Sequence, residues 1–357
     1  VEAALYAGCR FFAAYPITPA TEIGEKMSLR MPQVGGMFIQ MEDELGSICS
    51  VIGASLAGKK AMTATASTGY NLMLEALSYA VTCEVPLVVT NVQRTRGYIH
   101  ASQADVMQSR WGTSGDHQMI VFAPSSVQEY FDLQIEAFNY AEYYRNPVVL
   151  LLDETIAHMR EKLVIPEPDQ IKRVNRKKPS VPPENYLPFA ADETDIPEMS
   201  RFGDGYNVLY SINPHDERGY NVWRSETFNQ QTRRVSRKIT RDADAIFKYD
   251  SYYLEDSEVI VIAYGITARS ALEAVRQARQ AGMKAGLIKL KTLWPCAEKS
   301  IRALTEKAKR IFVAEMNLGQ YVREIERITH KDVISITKTN GAVFSSGEIL
   351  EEMKRNR

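Results

Sequence analysis

The chain has 357 residues, enough for two or three domains, and its 45% hydrophobic and 24% charged content is ordinary for a globular protein. Its 43 basic and 44 acidic residues leave a net charge of -1, which gives no reason to expect nucleic acid or an anionic membrane surface as a partner. No apolar run approaches the roughly 20 residues that span a bilayer, and no basic-plus-apolar leader opens the chain.

Val1 already lies inside an apparent helix that runs to Ala7 and stops at Gly8, so further residues are expected ahead of it. Residues 1–160 then alternate strand and helix signals. Strand-like runs are Phe11–Ala14, Phe38–Met41, Ala61–Thr65, Pro86–Val92, Met119–Ala123 and Val148–Asp153. Helix-like runs are Thr21–Met31, Glu44–Ala57, Leu72–Val81 and Ser126–Arg145. In the last of these Ser125 or Ser126 can cap, and Tyr130, Phe131, Ile135, Phe138 and Tyr140 recur near helical spacing. Short β-branched runs alternating with helices predict a parallel, doubly wound α/β sheet.

Composition changes after that. Seven of the fifteen prolines and the basic run Lys172-Arg173…Arg176-Lys177-Lys178 fall within residues 165–200, which reads as an extended linker with a solvated basic face. Residues 201–250 are polar, with Gly203, Gly205 and Gly219, and end in a charged helix around Thr232–Lys248. A second α/β unit starts near Glu258. Val259–Gly265 is a buried strand, Ala268–Ala281 an amphipathic helix stopped by Gly282, and Ala285–Leu290, Arg310–Ala314 and Asp332–Ile336 are further strands around the helix Ala297–Lys309. The domains are thus expected at 1–163, 164–250 (linker and small polar insert) and 251–357.

Cys9, Cys49, Cys83 and Cys296 are widely spaced, with no Cys-x-x-Cys pair. Each lies in an apolar or helical context, so buried free thiols and a reducing cytoplasm are expected, with no metal or iron–sulfur site held by this chain.

Four features follow strand ends and should converge, because ligands of open α/β sheets bind beyond the carboxyl ends of the strands. The first is Tyr15-Pro16-Ile17-Thr18-Pro19-Ala20-Thr21-Glu22. Its two prolines exclude helix and central strand, leaving a stiff loop that presents the Thr18 hydroxyl. An ordinary strand-to-helix turn is the plain alternative. The second is Met41-Glu42-Asp43-Glu44, opening a helix rich in small residues (Gly46, Ser47, Gly53, Ala54, Ser55) that would let another backbone or a flat ligand come close. A carboxyl at Glu44 could share a proton with a ring nitrogen, or the three acids could only favour the helix dipole. The third, Ser67-Thr68-Gly69, offers hydroxyls and N–H groups suited to an anionic or carbonyl group. In the fourth, Asn91-Val92-Gln93-Arg94-Thr95-Arg96, a guanidinium could hold a carboxylate bidentately or make a surface ion pair.

Taken together these segments resemble the α subunit of 2-oxoacid:ferredoxin oxidoreductases over nearly the whole chain. The matching stretches are Tyr-Pro-Ile-Thr-Pro-x-Thr-Glu at 15–22, Glu-Asp-Glu at 42–44, Asn-Val-Gln-Arg at 91–94, Gln103–Met107, Tyr144–Asp153, His215-Asp216-Glu217-Arg218-Gly219, Thr292–Pro295 and Val313–Gln320. The resemblance implies a thiamine diphosphate pyrimidine-binding domain and a transketolase C-terminal-like domain. It implies a cofactor-binding set of Glu44, Thr18 and Pro16. Glu44 would hydrogen-bond N1′ of the aminopyrimidine and favour the imino tautomer, whose N4′ takes the C2 proton. Arg94 would hold the carboxylate of the 2-oxoacid, with Thr18, Arg96, Ser67 and Thr68 as further substrate-binding residues. The implied reaction is CoA-dependent oxidative decarboxylation, of 2-oxoglutarate to succinyl-CoA, with reduction of ferredoxin. The 2-oxoisovalerate, pyruvate and indolepyruvate enzymes are alternatives, as are the β chain of an NAD-linked 2-oxoacid dehydrogenase and a scaffold with a vestigial pocket. This chain carries Ser67-Thr68-Gly69-Tyr70 where 2-oxoglutarate members of the family usually carry Ser-Gly-Pro-Gly. It is also read as lacking the Gly-Asp-Gly…Asn signature for Mg2+ and diphosphate, and any cluster cysteines. A β subunit is therefore expected to supply the Mg2+ site and the [4Fe–4S] cluster, and γ and δ subunits could join.

Overall fold

The computed structural model describes residues 1–356. Its strands are β1 Cys9–Ala14, β2 Met37–Gln40, β3 Lys60–Ala66, β4 Leu87–Gln93, β5 Ile120–Phe122, β6 Pro147–Asp153, β7 Tyr249–Tyr252, β8 Val259–Tyr264, β9 Ala285–Leu290, β10 Thr292–Trp294, β11 Arg310–Glu315 and β12 Val333–Thr337. Its α-helices are α1 Glu2–Tyr6, α2 Thr21–Arg30, α3 Glu44–Leu56, α4 Ser67–Thr82, α5 Gln108–Trp111, α6 Val127–Tyr144, α7 Glu154–His158, α8 Ser225–Thr240, α9 Ala243–Ile246, α10 Thr267–Gln280, α11 Glu298–Thr305, α12 Val322–Thr329 and α13 Ser346–Arg355.

The strands form a seven-stranded sheet in the order β10-β5-β6-β4-β3-β1-β2 and a five-stranded sheet in the order β12-β11-β8-β9-β7. All pairs are parallel except the two edges, β10 on β5 and β7 on β9. Because successive side chains point to opposite faces, Phe12 and Ala14 join one core with α1, α2 and α6, while Phe11 and Ala13 join another with α3 and α4. The second sheet repeats the pattern, with α10 and α13 on one face and α11 and α12 on the other. Burial on both faces is why these strands read as continuous apolar runs.

Differences from the sequence reading lie at edges and helix starts. Thr292–Trp294 was grouped with the second unit, yet it leaves that unit and pairs antiparallel with β5 as the outer strand of the first sheet. β7 was not foreseen. Helix α4 starts at Ser67, five residues before the expected Leu72, and the charged helix falls at 225–240 rather than 232–248. Cys9 and Cys83 are buried as expected and Cys296 is half-buried, but Cys49 is exposed on the outer face of α3.

The segment between the sheets is tied down by side chains bonding to backbone. Arg145, left-handed at φ 48 just past α6, donates to the carbonyls of Glu84, Pro188, Pro197 and Glu198. Arg176 is not part of a solvated face: it makes a buried bidentate pair with Glu142 and also donates to the Ser55 carbonyl. Fully buried Glu84 accepts from Arg234 and from Lys238 Nζ at 2.8 Å, which anchors α8 beneath the first sheet.

The two units share one carboxamide. Gln103 Nε2 donates to the Tyr264 carbonyl (2.9 Å), and Gln103 Oε1 accepts from Met316 N–H and the Thr267 hydroxyl, both at 3.0 Å. Asp153, at the end of β6, accepts from Ile156 N–H and across the boundary from Ile266 N–H (2.7 Å).

Candidate active site

The parallel strands β1, β2, β3 and β4 all end at one edge of the first sheet. The crossover from β1 leads outward to β2, and the one from β2 passes back over β1 to β3. The strand order therefore reverses between β1 and β3, and a crevice opens there. The Tyr15–Ala20 loop follows one of these strands and the start of α4 follows the other.

The three acids opening α3 separate into three roles. Glu42 is exposed. Asp43 is the N-cap, its Oδ1 accepting from Gly46 N–H, while its carbonyl accepts from the Ser47 hydroxyl at 2.7 Å. Glu44 turns inward and is only 5% exposed. No cation pairs with it, and no donor among the described residues hydrogen-bonds it. Its carboxyl lies against the first turn of α4: a Cβ added at Gly69 would collide with Glu44 Oε1 and Thr65 Oγ1 and lie 2.7 Å from Glu44 Cδ. The small residue that permits close approach is therefore Gly69. Gly53 faces open space, and Gly46 is crowded only by Met41 and the Asp43 cap.

The α4 start is uncapped, since Ala66 has no side-chain oxygen to offer, so its first N–H groups have no capping acceptor. Ser67, Thr68 and Arg94 come together as expected. Arg94 N–H donates to Ser67 Oγ (3.1 Å), Arg94 Nη2 reaches Thr68 Oγ1 (3.4 Å), and Arg94 Nε is buried without an acceptor. Arg96 does not join them; it is exposed in the turn beyond. Pro16 and Thr18 are exposed on the β1 loop, and Thr18 precedes a cis Pro19. Beside them is a cavity of about 340 Å3 lined by Ala14, Tyr15, Pro16, Thr21, Phe38 and Gln40.

Asp105, within the Gln103–Met107 stretch, supports this cluster although sequence reasoning gives it no role of its own. It is buried, accepts from Asn91 Nδ2 at 2.9 Å, and takes the Gln93 amide oxygen at its own N–H, with the Ser67 hydroxyl close by. Burial raises the Asp105 carboxyl above its ordinary pKa, and the neighbouring Ser67 hydroxyl and the Asn91 amide pull it part of the way back. The sequence signal was available: Asn91 and Gln93 are polar residues in an otherwise apolar strand.

The letters Gly203-Asp204-Gly205 do occur, which corrects the reading that the triplet is absent. They form an exposed turn in which Asp204 pairs with Arg201, far in character from a strand-end metal ligand. Among the described residues, no group of three or more His, Cys, Asp or Glu side chains could hold a metal ion. No helix among them is long and apolar enough to cross a membrane.

Residues 2–234 match the family model described as pyruvate flavodoxin/ferredoxin oxidoreductase, thiamine diphosphate-binding, and residues 257–349 match pyruvate:ferredoxin oxidoreductase core domain II. The chain is 46% identical to 2-oxoglutarate synthase subunit KorA of Methanothermobacter thermautotrophicus, over 99% of this chain and 96% of the relative. It superposes with a TM-score of 0.92 and 29% identity on 2-oxoglutarate:ferredoxin oxidoreductase from Magnetococcus marinus, solved with 2-oxoglutarate, coenzyme A and succinyl-CoA bound. That match covers 99% of this chain but 63% of the longer one. A split-gene transketolase, in an inactive β4 tetramer, shares the fold alone, at 15% identity and a TM-score of 0.52.

Proposed function

The chain belongs to the pyruvate flavodoxin/ferredoxin oxidoreductase family, and from that premise we propose that it is the α subunit of a thiamine-diphosphate enzyme that oxidatively decarboxylates 2-oxoglutarate to succinyl-CoA and reduces ferredoxin. The observation that carries the assignment of the site is Glu44: a carboxyl buried at a strand-order reversal, unpaired, with a glycine cleared beside it. Such a group needs a donor from outside the chain, and a protonated ring nitrogen supplies one.

Thiamine diphosphate, when bound, supplies the nucleophilic carbon and the electron sink for decarboxylation. The chain supplies binding and orientation. Glu44 accepts the hydrogen bond of the pyrimidine nitrogen and holds a proton between the two. Pro16 and Thr18 form the rigid wall of the β1 loop on the cofactor side. Arg94, with its unsatisfied Nε and its contact to Thr68, holds the substrate carboxylate, and Ser67 fixes the Arg94 backbone. Arg96 stands further out, as a contact for the distal end of the substrate.

The relative is named as one subunit of its enzyme, and a partner subunit completes this one. The Mg2+ site, the diphosphate contacts and the [4Fe–4S] cluster belong to that partner in our reading, and the complex works in the cytoplasm with CoA and ferredoxin. The test is the reconstituted complex with CoA and a viologen acceptor, offered 2-oxoglutarate, pyruvate and 3-methyl-2-oxobutanoate. The reading requires the highest kcat/KM for 2-oxoglutarate; preference for either of the others overturns the substrate. Glu44→Gln should lower turnover by about a thousandfold while the complex still assembles, and full activity in that variant overturns the role of Glu44.

A further inference from the structure

A second cavity, of about 530 Å3, lies between the two units and away from the crevice that Glu44 lines. Gln118 reaches it just before β5 and Cys296 just after the antiparallel β10, which places it toward the opposite, amino-terminal edge of the sheet. Its walls carry Arg110, Lys299 and Arg327 beside Trp111 and Trp294, and also the carboxylates Glu298 and Glu324.

Arg110 is the unusual member. It is only 7% exposed, yet no carboxylate lies within ion-pair distance and no acceptor among the described residues takes a hydrogen bond from it. Its guanidinium carbon sits 3.9 Å from the centre of the Trp111 ring. A guanidinium stacked face-on keeps its N–H fork in the plane, free at the edge. The acids nearby do not neutralise it. Glu298 is held by Arg327 (2.8 Å) and Arg302 (3.3 Å), Glu324 is held by Arg327 Nε (2.9 Å), and Asp116 is exposed to water. Cys296 stays a neutral thiol, because burial pushes its pKa up to about 12. The Arg110 nitrogens are not sealed from solvent, so the fork opens into the cavity with no protein acceptor of its own, where an anion can pair with it.

We propose that this cavity binds a small oxyanion, a phosphate or a carboxylate, whose oxygens accept from the Arg110 fork with Lys299 at the rim. Trp111, more than half exposed, leaves room beside the anion for a flat apolar portion of the same ligand.

The test is calorimetric titration of the reconstituted complex, saturated with thiamine diphosphate and Mg2+, with inorganic phosphate and separately with malonate. The wild type should bind at least one of them, R110Q should bind it at least about tenfold more weakly, and K299Q roughly twofold to threefold more weakly. Lys299 is exposed, so K299Q decides the matter even if R110Q does not fold. The proposal fails if neither probe binds the wild type, or if the variants bind as the wild type does. It also fails if the wild type binds neither and R110Q no longer co-purifies with its partner subunit, for then a partner carboxylate fills the cavity.

Discussion

Replacing Gly69 by alanine separates catalysis from stability at this site. The added methyl would stand 2.7 Å from Glu44 Cδ and closer still to Glu44 Oε1 and Thr65 Oγ1. Thr65, held in the buried strand β3, can clear the methyl only by turning its hydroxyl, and the Glu44 carboxyl must yield as well. A displacement of about 1 Å at a positioned group costs on the order of a hundredfold in rate. The fold is affected far less. Gly69 carries no positive φ, so alanine gains about 1 kcal/mol of helix propensity against about 1–3 kcal/mol of overpacking. The net loss is about 1 kcal/mol, a fall in Tm of roughly 2–4 °C. Viologen reduction by the reconstituted complex, run beside a thermal melt, gives both quantities. We expect kcat to drop about a hundredfold and the thiamine diphosphate Kd to rise, with the melt nearly unchanged. Turnover within about twofold of wild type, or a rate loss that only tracks the unfolded fraction, would refute the reasoning that Gly69 keeps Glu44 in place.

Arg94→Ala should raise KM for the 2-oxoacid by about 10- to 100-fold and leave KM for CoA within a factor of about two, as steady-state kinetics would show; equal effects remove Arg94 from the carboxylate role. Glu84→Ala strands Lys238 and Arg234 inside the protein and should cost about 3–5 kcal/mol by denaturant unfolding, with E84A/K238M recovering much of that loss. His117 is buried near Arg110, and both influences lower its pKa from 6.5 to about 4. Between those values the unfolded histidine binds a proton that the folded one refuses. Stability therefore falls on acidification through that window, by up to about 3 kcal/mol for this group. H117F should flatten that part of the stability-against-pH curve; an unchanged curve removes His117 as its source.

Most of the first sheet was legible because its strands are apolar on both faces and its helices carry periodic apolar stripes. The site was legible in its residues but not in its geometry. Glu42, Asp43 and Glu44 look alike in sequence; only the helix register makes Asp43 the cap and sends Glu44 inward. The start of α4 was hidden because Ala66 offers no capping side chain and Gly69 in the first turn imitates a loop. The edge strands β7 and β10 have four and three residues, and partners far along the chain specify them. Residues 165–224 have no periodicity to read, since arginine-to-carbonyl bonds hold that stretch in place. Arg176 could not be told from its solvated neighbours until Glu142 was found beneath it.

Strand β10 and the Gln103 carboxamide bear on how the chain comes apart. Between β9 and β11 the polypeptide lends a strand to the other sheet and returns, and the Gln103 amide of the first unit is bonded to three groups of the second. Neither sheet can be peeled off without stripping an edge from the first and breaking buried bonds in the second. Two regions that look separable by their topology are interlocked like clasped hands, so cutting the gene between them would yield two incomplete fragments instead of two autonomous modules.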